Sequence, residues 1–451
     1  MATPNGTEPE PLATTRLRNW HCLLILILLT MSAGLLSIRL THFSTPFADY
    51  WQGAQEFAKT SKIASTFTPN FYPALLGEAL RVFGRSGPIL AQFVIYESFA
   101  VAVYFAFRFL GMSARASAFF GFLIAMCPDL ITGIQKIWDI GISCLALIAL
   151  VLCILLLIES GANVVRTILT GVVWGFGIAI RPNFPSLGLL IFYVIWLSLR
   201  RDRNIYRNFL LHALLLITVG SGVSAFLYRF SHGAFYWPQN GAYNFFAGAN
   251  DFTGESLKSH LNAEPSISLA LEKLGIQSDV SYLINPKSQK LFIDQGLSFI
   301  QSHPWRWSID YCALKFFTML RPDTKLNPIF SRKGLARAFV SSALIFWLFM
   351  LYLRKRSRWR NFDSITLLLI VVYSIPFLLT NSDPRFGLPL NLILWIGAIS
   401  GLCDIRKSKA SHGMAAQVSR ESATSGVGET AHAGKHSDMT NLMILQLRLR
   451  L

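Results

Sequence analysis

Charged side chains are scarce in this chain, 14% of 451 residues against 53% hydrophobic. So little charge excludes a water-facing globular surface over most of the length. Uncharged runs such as "CLLILILLTMSAGLLSI" and "ISCLALIALVLCILLLI" approach the roughly 20 residues that cross a bilayer, which predicts a polytopic membrane protein. Acid is scarcer than base, 24 residues against 41, for a net charge of +17. In a membrane protein that excess is loop charge holding the orientation, and no nucleic-acid partner is assigned to it. Cysteine is sparse too. Cys22, Cys127, Cys144, Cys153, Cys312 and Cys403 fall almost entirely in apolar segments with no CxxC spacing, which excludes a disulfide or zinc framework. The nine histidines show no pairing with a Ser or Cys, so a soluble-type catalytic triad is unsupported. No internal repeat of useful length is visible. "HAGKH" in the C-terminal tail has metal-like spacing but no carboxylate beside it. The first apolar run follows "TTRLRNW", is too long for a signal core and lacks a small-residue cleavage site, so it reads as a retained helix.

What is present is an all-α pattern of about ten spans: 22–40, 89–110, 113–131, 140–158, 166–181, 185–199, 208–229, 336–353, 363–380 and 387–403. Basic residues then sort the loops. Arg16, Arg18, Arg108, Arg115, Arg166, "LRRDRNIYR", "RKRSRWR" and "DIRKSK" all fall on one side, which assigns that side to the cytoplasm. Counting "WSIDYCALKFFTML" as an eleventh span would throw "RKRSRWR" outside, so it is predicted to lie as an amphipathic helix on the outer surface. Residues 1–19 form a cytoplasmic tail, 20–403 the membrane domain with outer loops at about 41–88 and 230–335, and 404–451 a polar cytoplasmic tail.

Against this apolar background the few ionisable groups stand out. In the first outer loop Asp49, Gln52 and Glu56 are spaced i, i+3, i+7, one face of a helix, beside Trp51 and Phe57. Asp129, Lys136 and Asp139 sit at the outer ends of the third and fourth spans. The "RPNFP" turn joins two spans that are each short, so Arg181 lies below headgroup level, where an unpaired guanidinium is costly and a partner is expected. Arg385, in "NSDPRFGLPLNL", begins the last span on the same side. The topology therefore gathers Asp49, Glu56, Asp139, Arg181 and Arg385 on the outer face. Two explanations stay open: a structural salt-bridge network, or a site where Arg grips phosphate and a carboxylate moves a proton. Glu97 is the one mid-span acid, read as a helix-to-helix hydrogen bond.

The order of these features resembles the C-type glycosyltransferase (GT-C) fold, and within it the family 39 type of polyprenyl-phosphate-sugar transferases, relatives of which include protein O-mannosyltransferases and the lipid A aminoarabinose transferase. The stretches that carry it are "DYWQGAQEFA" with "TPNFYPALLGEALRVFG", then "CPDLITGIQKIWDIGIS", "GVVWGFGIAIRPNFPSL", "YWPQNGAYNFFAGANDFTG", "HPWRWSIDYCALKFFTML" and "DPRFGLPLNLILWIGAISGL". The resemblance implies a donor of one sugar on a polyprenyl phosphate, a glycan, lipid or protein acceptor, and inverting transfer at the outer face of the inner membrane. Asp49 maps to the catalytic base. Tyr50 stands where many members carry a second acid, with Glu56 as substitute, and Asp139 matches the acid before the fourth span, so the resemblance implies Asp49, Glu56 and Asp139 as the catalytic acids. Arg385, then Arg181, are the choices for donor phosphate, with Lys136 nearby. "PQNGAYNFFAGAN" suits a loop lying over sugar or acceptor, with Tyr50, Tyr72, Asn240, Tyr243 and Asn250 as substrate-loop residues; an ordinary turn-rich loop is the plain alternative. No cofactor is assigned, and no acidic cluster with ligand spacing demands a divalent metal, although the phosphate charge leaves room for one. The competing functions are a polyprenyl-linked glycan flippase or ligase and a secondary transporter.

Overall fold

A computed structural model describes residues 12–41, 48–63, 71–127, 130–131, 133, 139–181, 183–200, 202–232, 241–249, 271–272, 274–275, 285–312, 315–316, 343–353, 360–379 and 387–402. Two units are distinguished, Met1–Gly401 and Leu402–Leu451, and all that follows concerns the first. Among the described residues the chain is all-α. Its helices are α1 (Leu12–Thr41), α2 (Ala48–Thr60), α3 (Phe71–Phe83), α4 (Gly87–Phe109), α5 (Ala114–Ala125), α6 (Ile140–Ser160), α7 (Val164–Ile180) and α8 (Leu187–Leu199). After them come α9 (Ile205–His232), α10 (Gly241–Gly248), α11 (Pro286–Ser302), α12 (Ala343–Leu353), α13 (Arg360–Leu379) and α14 (Gly387–Leu402).

Among the described residues three helical runs are long and apolar enough to cross a membrane, Phe71–Phe109, Ile140–Ser160 and Ile205–Ser231, and six shorter apolar helices accompany them. Large apolar side chains such as Leu24, Ile25, Leu28, Val94, Leu210 and Leu214 face outward on these helices. Water would not tolerate such a surface at this density, whereas lipid does. The fold is that of an all-α membrane protein.

The predicted outer loop at 41–88 carries two helices, α2 and α3. Its second half is α3, whose Tyr72, Ala74 and Leu76 are buried, and which runs through a tight turn at Gly84–Ser86 directly into α4. Gly84 takes φ +62°, a conformation that L side chains rarely adopt, and a Cβ on Gly87 would overlap the Ala79 carbonyl. The corner therefore requires glycine at both positions. α2 lies against α3, where a Cβ on Gly77 would come within 2.7 Å of the Ala54 carbonyl oxygen. Phe57, Ile63 and Ala74 form the apolar seam between them. This seam fixes where the start of α2 sits.

α7 packs on α9 through small residues. Gly171 faces Val219, Gly175 faces the backbone of Gly220, and Gly220 in turn leaves room for the Trp174 ring. Close backbone approach of this kind is how helices associate where no hydrophobic effect drives them together. Trp174 also donates to the Phe184 carbonyl at 2.8 Å, which ties the end of α7 to the turn that follows. Asn163 caps the N-terminus of α7 by accepting from Arg166 N–H at 2.9 Å, and Ser113 caps α5 in the same way.

Candidate functional site

Two residues at helix ends turn their side chains to each other. Asp139 stands at the N-cap of α6 with no side-chain capping bond. Its carboxylate is instead turned to Arg181, which accepts the C-cap position of α7 and donates from Nε to Asp139 Oδ2 at 2.8 Å. Both residues are buried, Arg181 at 4% exposure and Asp139 at 9%. Each charge sits at the helix end whose dipole favours it, the anion at the start of α6 and the cation at the end of α7. The partner anticipated for the Arg181 guanidinium is thus Asp139, a residue assigned independently to the same site. The pair ties the start of α6 to the end of α7.

Aromatic and amide groups from α2, α3, α4, α13 and the turn after α7 extend the site. Tyr72 of α3 is buried at 1% exposure and lies within electrostatic reach of both Asp139 and Tyr50. Its hydroxyl is hydrogen-bonded to the Gln92 amide of α4, and its ring meets that of Tyr50 edge-on, with centroids 5.2 Å apart. Tyr373 of α13, fully buried, is within electrostatic reach of Arg181 and Asp139. Tyr50, near the start of α2, is also within reach of Arg181. Asn183, two residues after Arg181, stands beside Tyr373 and is 3% exposed. The arrangement is a buried ion pair ringed by phenols and two amides, able to meet an anion with a guanidinium and hydroxyl groups with neutral donors and acceptors.

Of the sequence-predicted site residues, Asp139, Arg181, Tyr50 and Tyr72 come together here. Tyr50 and Tyr72 do so from helices rather than from a loop, because the apolar seam between α2 and α3 folds that segment into the core. Asp49 belongs to α2 one residue before Tyr50, and its side chain lies outside the described residues. Glu56 is in the same helix, roughly 9 Å further along its axis than Tyr50 at 1.5 Å per residue. Tyr243 is on α10, packed on Phe292 of α11 at 5.8 Å between centroids, so it too is a helical core contact. Lys136, Arg385, Asn240 and Asn250 lie outside the described residues, as do Asp129 and "HAGKH". Glu97 accepts a hydrogen bond of 2.7 Å from the Thr30 hydroxyl of α1, the helix-to-helix contact anticipated for it. Among the described residues no group of three or more His, Cys, Asp or Glu is placed to hold a metal ion.

Sequence reasoning missed Gln92, Asn183 and Tyr373. Gln92 and Tyr373 sit inside apolar runs that look like ordinary span. The signal for Asn183 was its place two residues from Arg181 in a turn, which by itself suggests only capping.

No family model matches this sequence, and no curated protein matches it. Among solved structures it is similar to the archaeal oligosaccharyltransferase AglB from Archaeoglobus fulgidus in complex with an inhibitory peptide and a dolichol-phosphate, at 14% identity and a TM-score of 0.45, covering 95% of this chain and 54% of that one. It is also similar to the Archaeoglobus fulgidus oligosaccharyltransferase tethered with an acceptor peptide, at 13% identity and a TM-score of 0.46, covering 86% and 50%. A complex of that oligosaccharyltransferase with Zn and sulfate is similar at 13% identity and a TM-score of 0.44, covering 84% and 49%. The chain therefore spans about half the length of the solved structures it matches.

Proposed function

We propose that this protein is a GT-C-like membrane glycosyltransferase that moves a sugar from a polyprenyl-phosphate donor to an acceptor hydroxyl at the outer face of the membrane, with inversion. The observation that carries the proposal is the buried Asp139–Arg181 pair with Tyr50 and Tyr72 gathered beside it. These four residues come from four separate stretches of the chain.

The chemistry assigns three roles. The acceptor hydroxyl loses its proton to a carboxylate, and Asp49, at the start of the helix that brings in Tyr50, takes that part. As the bond from the anomeric carbon to the donor phosphate oxygen breaks, the electron pair leaves with the lipid phosphate. Guanidinium groups in a water-poor setting stabilise that growing charge. Arg385 is the first choice for this and Arg181 the second, with Lys136 adding charge nearby. Asp139 holds Arg181 in place, which makes it a positioning residue in this scheme, and Glu56 is the reserve base. The acceptor oxygen attacks opposite the leaving phosphate in one step, so configuration inverts. Asn240, Tyr243 and Asn250 belong to the stretch assigned to cover sugar or acceptor. The bond between Glu97 and Thr30 uses the mid-span acid for packing α1 on α4, which weighs against a secondary transporter with an ion site at the midplane.

The test supplies membranes with and without the protein with a panel of radiolabelled polyprenyl-phosphate sugars. Label is then counted in lipid, protein and glycan fractions. The proposal predicts protein-dependent transfer from at least one donor. Label that crosses the membrane still attached to its original lipid would instead identify a flippase.

A further inference from the structure

The π-helical turn Arg306–Tyr311 and the residues that flank it have two unlike sides. On one, Tyr311 is buried and packs with Ala249 and Phe299, and the partly buried Ile300 and Trp307 join that cluster. The half-buried Arg306 lies over the Tyr311 ring, 5.9 Å from its centre. On the other, Trp305 is 77% exposed and Ile309, four residues on, is 58% exposed. Pro304 and Ser308, exposed beside them, carry no charge. Tryptophan is highly buried on average, so a ring this open beside an open isoleucine asks for an apolar partner.

Where the segment is fastened identifies that partner. Lys315 donates from Nζ to the Leu378 carbonyl at 3.0 Å in the last turn of α13, and Cys312 Sγ stands 3.9 Å from the same oxygen. α13 presents Leu367, Val371 and Ile375 outward, a row at four-residue spacing, and such a row on a membrane helix faces lipid. Leu378 follows Ile375 by three residues, so the segment is fastened where this lipid-facing row ends. We infer that Trp305 and Ile309 dock the turn on the bilayer leaflet at which α13 ends, the outer one in the proposed orientation. The Trp305 ring suits the headgroup level, where its apolar body meets lipid and its N–H meets polar groups, and Ile309 enters the apolar layer beside it. The contact is apolar and does not select anionic headgroups, because the exposed residues of the turn are uncharged. The inference does not depend on the glycosyltransferase reading. It bears on the candidate site all the same, since Leu378 follows Tyr373 by five residues and the docked turn holds the end of the helix that supplies Tyr373.

The experiment places the full chain in phosphatidylcholine nanodiscs and labels Trp305→Cys or Ile309→Cys with bimane, the labelled wild type serving as background for the native cysteines. Both side chains are exposed, so the variants should unfold at the wild-type temperature, which is checked first. Two quenchers are then compared, phosphatidylcholine bearing a nitroxide and iodide in the water, with the bimane adduct of glutathione as the fully wet reference. Both labels are expected to lose fluorescence to the nitroxide lipid and to be shielded from iodide relative to the glutathione adduct. Raising salt from about 0.1 M to about 1 M should leave the loss unchanged, because an apolar contact is not screened. Nitroxide lipid that leaves either label bright would overturn the inference and free this face for another partner, such as a glycan stacked on Trp305. A loss that high salt abolishes would overturn it too, since docking would then be electrostatic.

Discussion

At the scale of single residues, the decisive feature is a pair of charges withdrawn from water and turned on each other. Asp139 and Arg181 are both buried and 2.8 Å apart. Removing one partner from such a pair strands the other, and the cost is typically about 3–5 kcal/mol, whereas removing both together costs much less. Asp139→Leu and Arg181→Leu are therefore each expected to lower the unfolding temperature markedly, and the double variant to recover much of the loss. Equal losses that simply add would mean the two groups do not depend on each other. The bond between Tyr72 and Gln92 is a second such point. Gln92→Leu should destabilise by about 1–3 kcal/mol, read in denaturant or thermal unfolding. Legibility in the sequence was uneven at this scale. A guanidinium below headgroup level announces that it needs a counter-charge, because the penalty for lacking one is large. An amide or phenol inside a span announces nothing, since its partner depends on how each helix is rotated, and a uniformly apolar run carries no mark of rotation.

At the scale of elements, the helices were legible from hydropathy and their packing was not. The spans predicted at 140–158, 166–181, 185–199 and 208–229 correspond to α6 to α9 with ends shifted by a few residues. That α2 and α3 fold into the core was hidden, because a stretch with Gln, Glu, Lys and Arg among its aromatics reads as surface. Glycines decide the contacts. In Gly175→Leu the added side chain must displace the backbone of α9 at Gly220. Overpacking of this kind costs about 1–3 kcal/mol or more, so a lowered unfolding temperature is expected, with Gly222→Ala, where a Cβ meets nothing within 4 Å, as the neutral control. The segment after the π-helical turn Arg306–Tyr311 is held differently. Lys315, buried at 5% exposure, donates to the Leu378 carbonyl in the last turn of α13 at 3.0 Å. Burial lowers its amine to about 8, partly offset by the nearby Cys312. Below that pH the amine is charged whether the chain is folded or unfolded, and burying the charge opposes folding. Above it the folded chain sheds its proton before the unfolded chain does, so stability rises with pH until the unfolded amine also titrates. The rise is on the order of 3 kcal/mol at most. It should be visible as a climbing unfolding temperature between about pH 8 and 10 that Lys315→Met abolishes.

At the scale of the whole molecule, the account joins a membrane fold to a site built where several helices end. Under the proposed function, the lipid-borne donor reaches this site by lateral diffusion in the bilayer. Buried ionic groups at helix ends also let one fold serve both stability and chemistry, since Arg181 is held by the helix dipole and by Asp139 before any ligand arrives. The general class of this architecture was legible from scarcity of charge and from the order of the few ionisable groups. The reacting carboxylate is the point on which the functional account turns. The measurement that tests it most directly is single-turnover transfer from a labelled polyprenyl-phosphate sugar by purified protein in liposomes. Wild type is compared there with Asp49→Asn at equal amounts of folded protein. The account predicts that Asp49→Asn loses about 10²–10⁴-fold in transfer rate while still binding donor, as removal of a general base requires. Transfer by Asp49→Asn at the wild-type rate would contradict it.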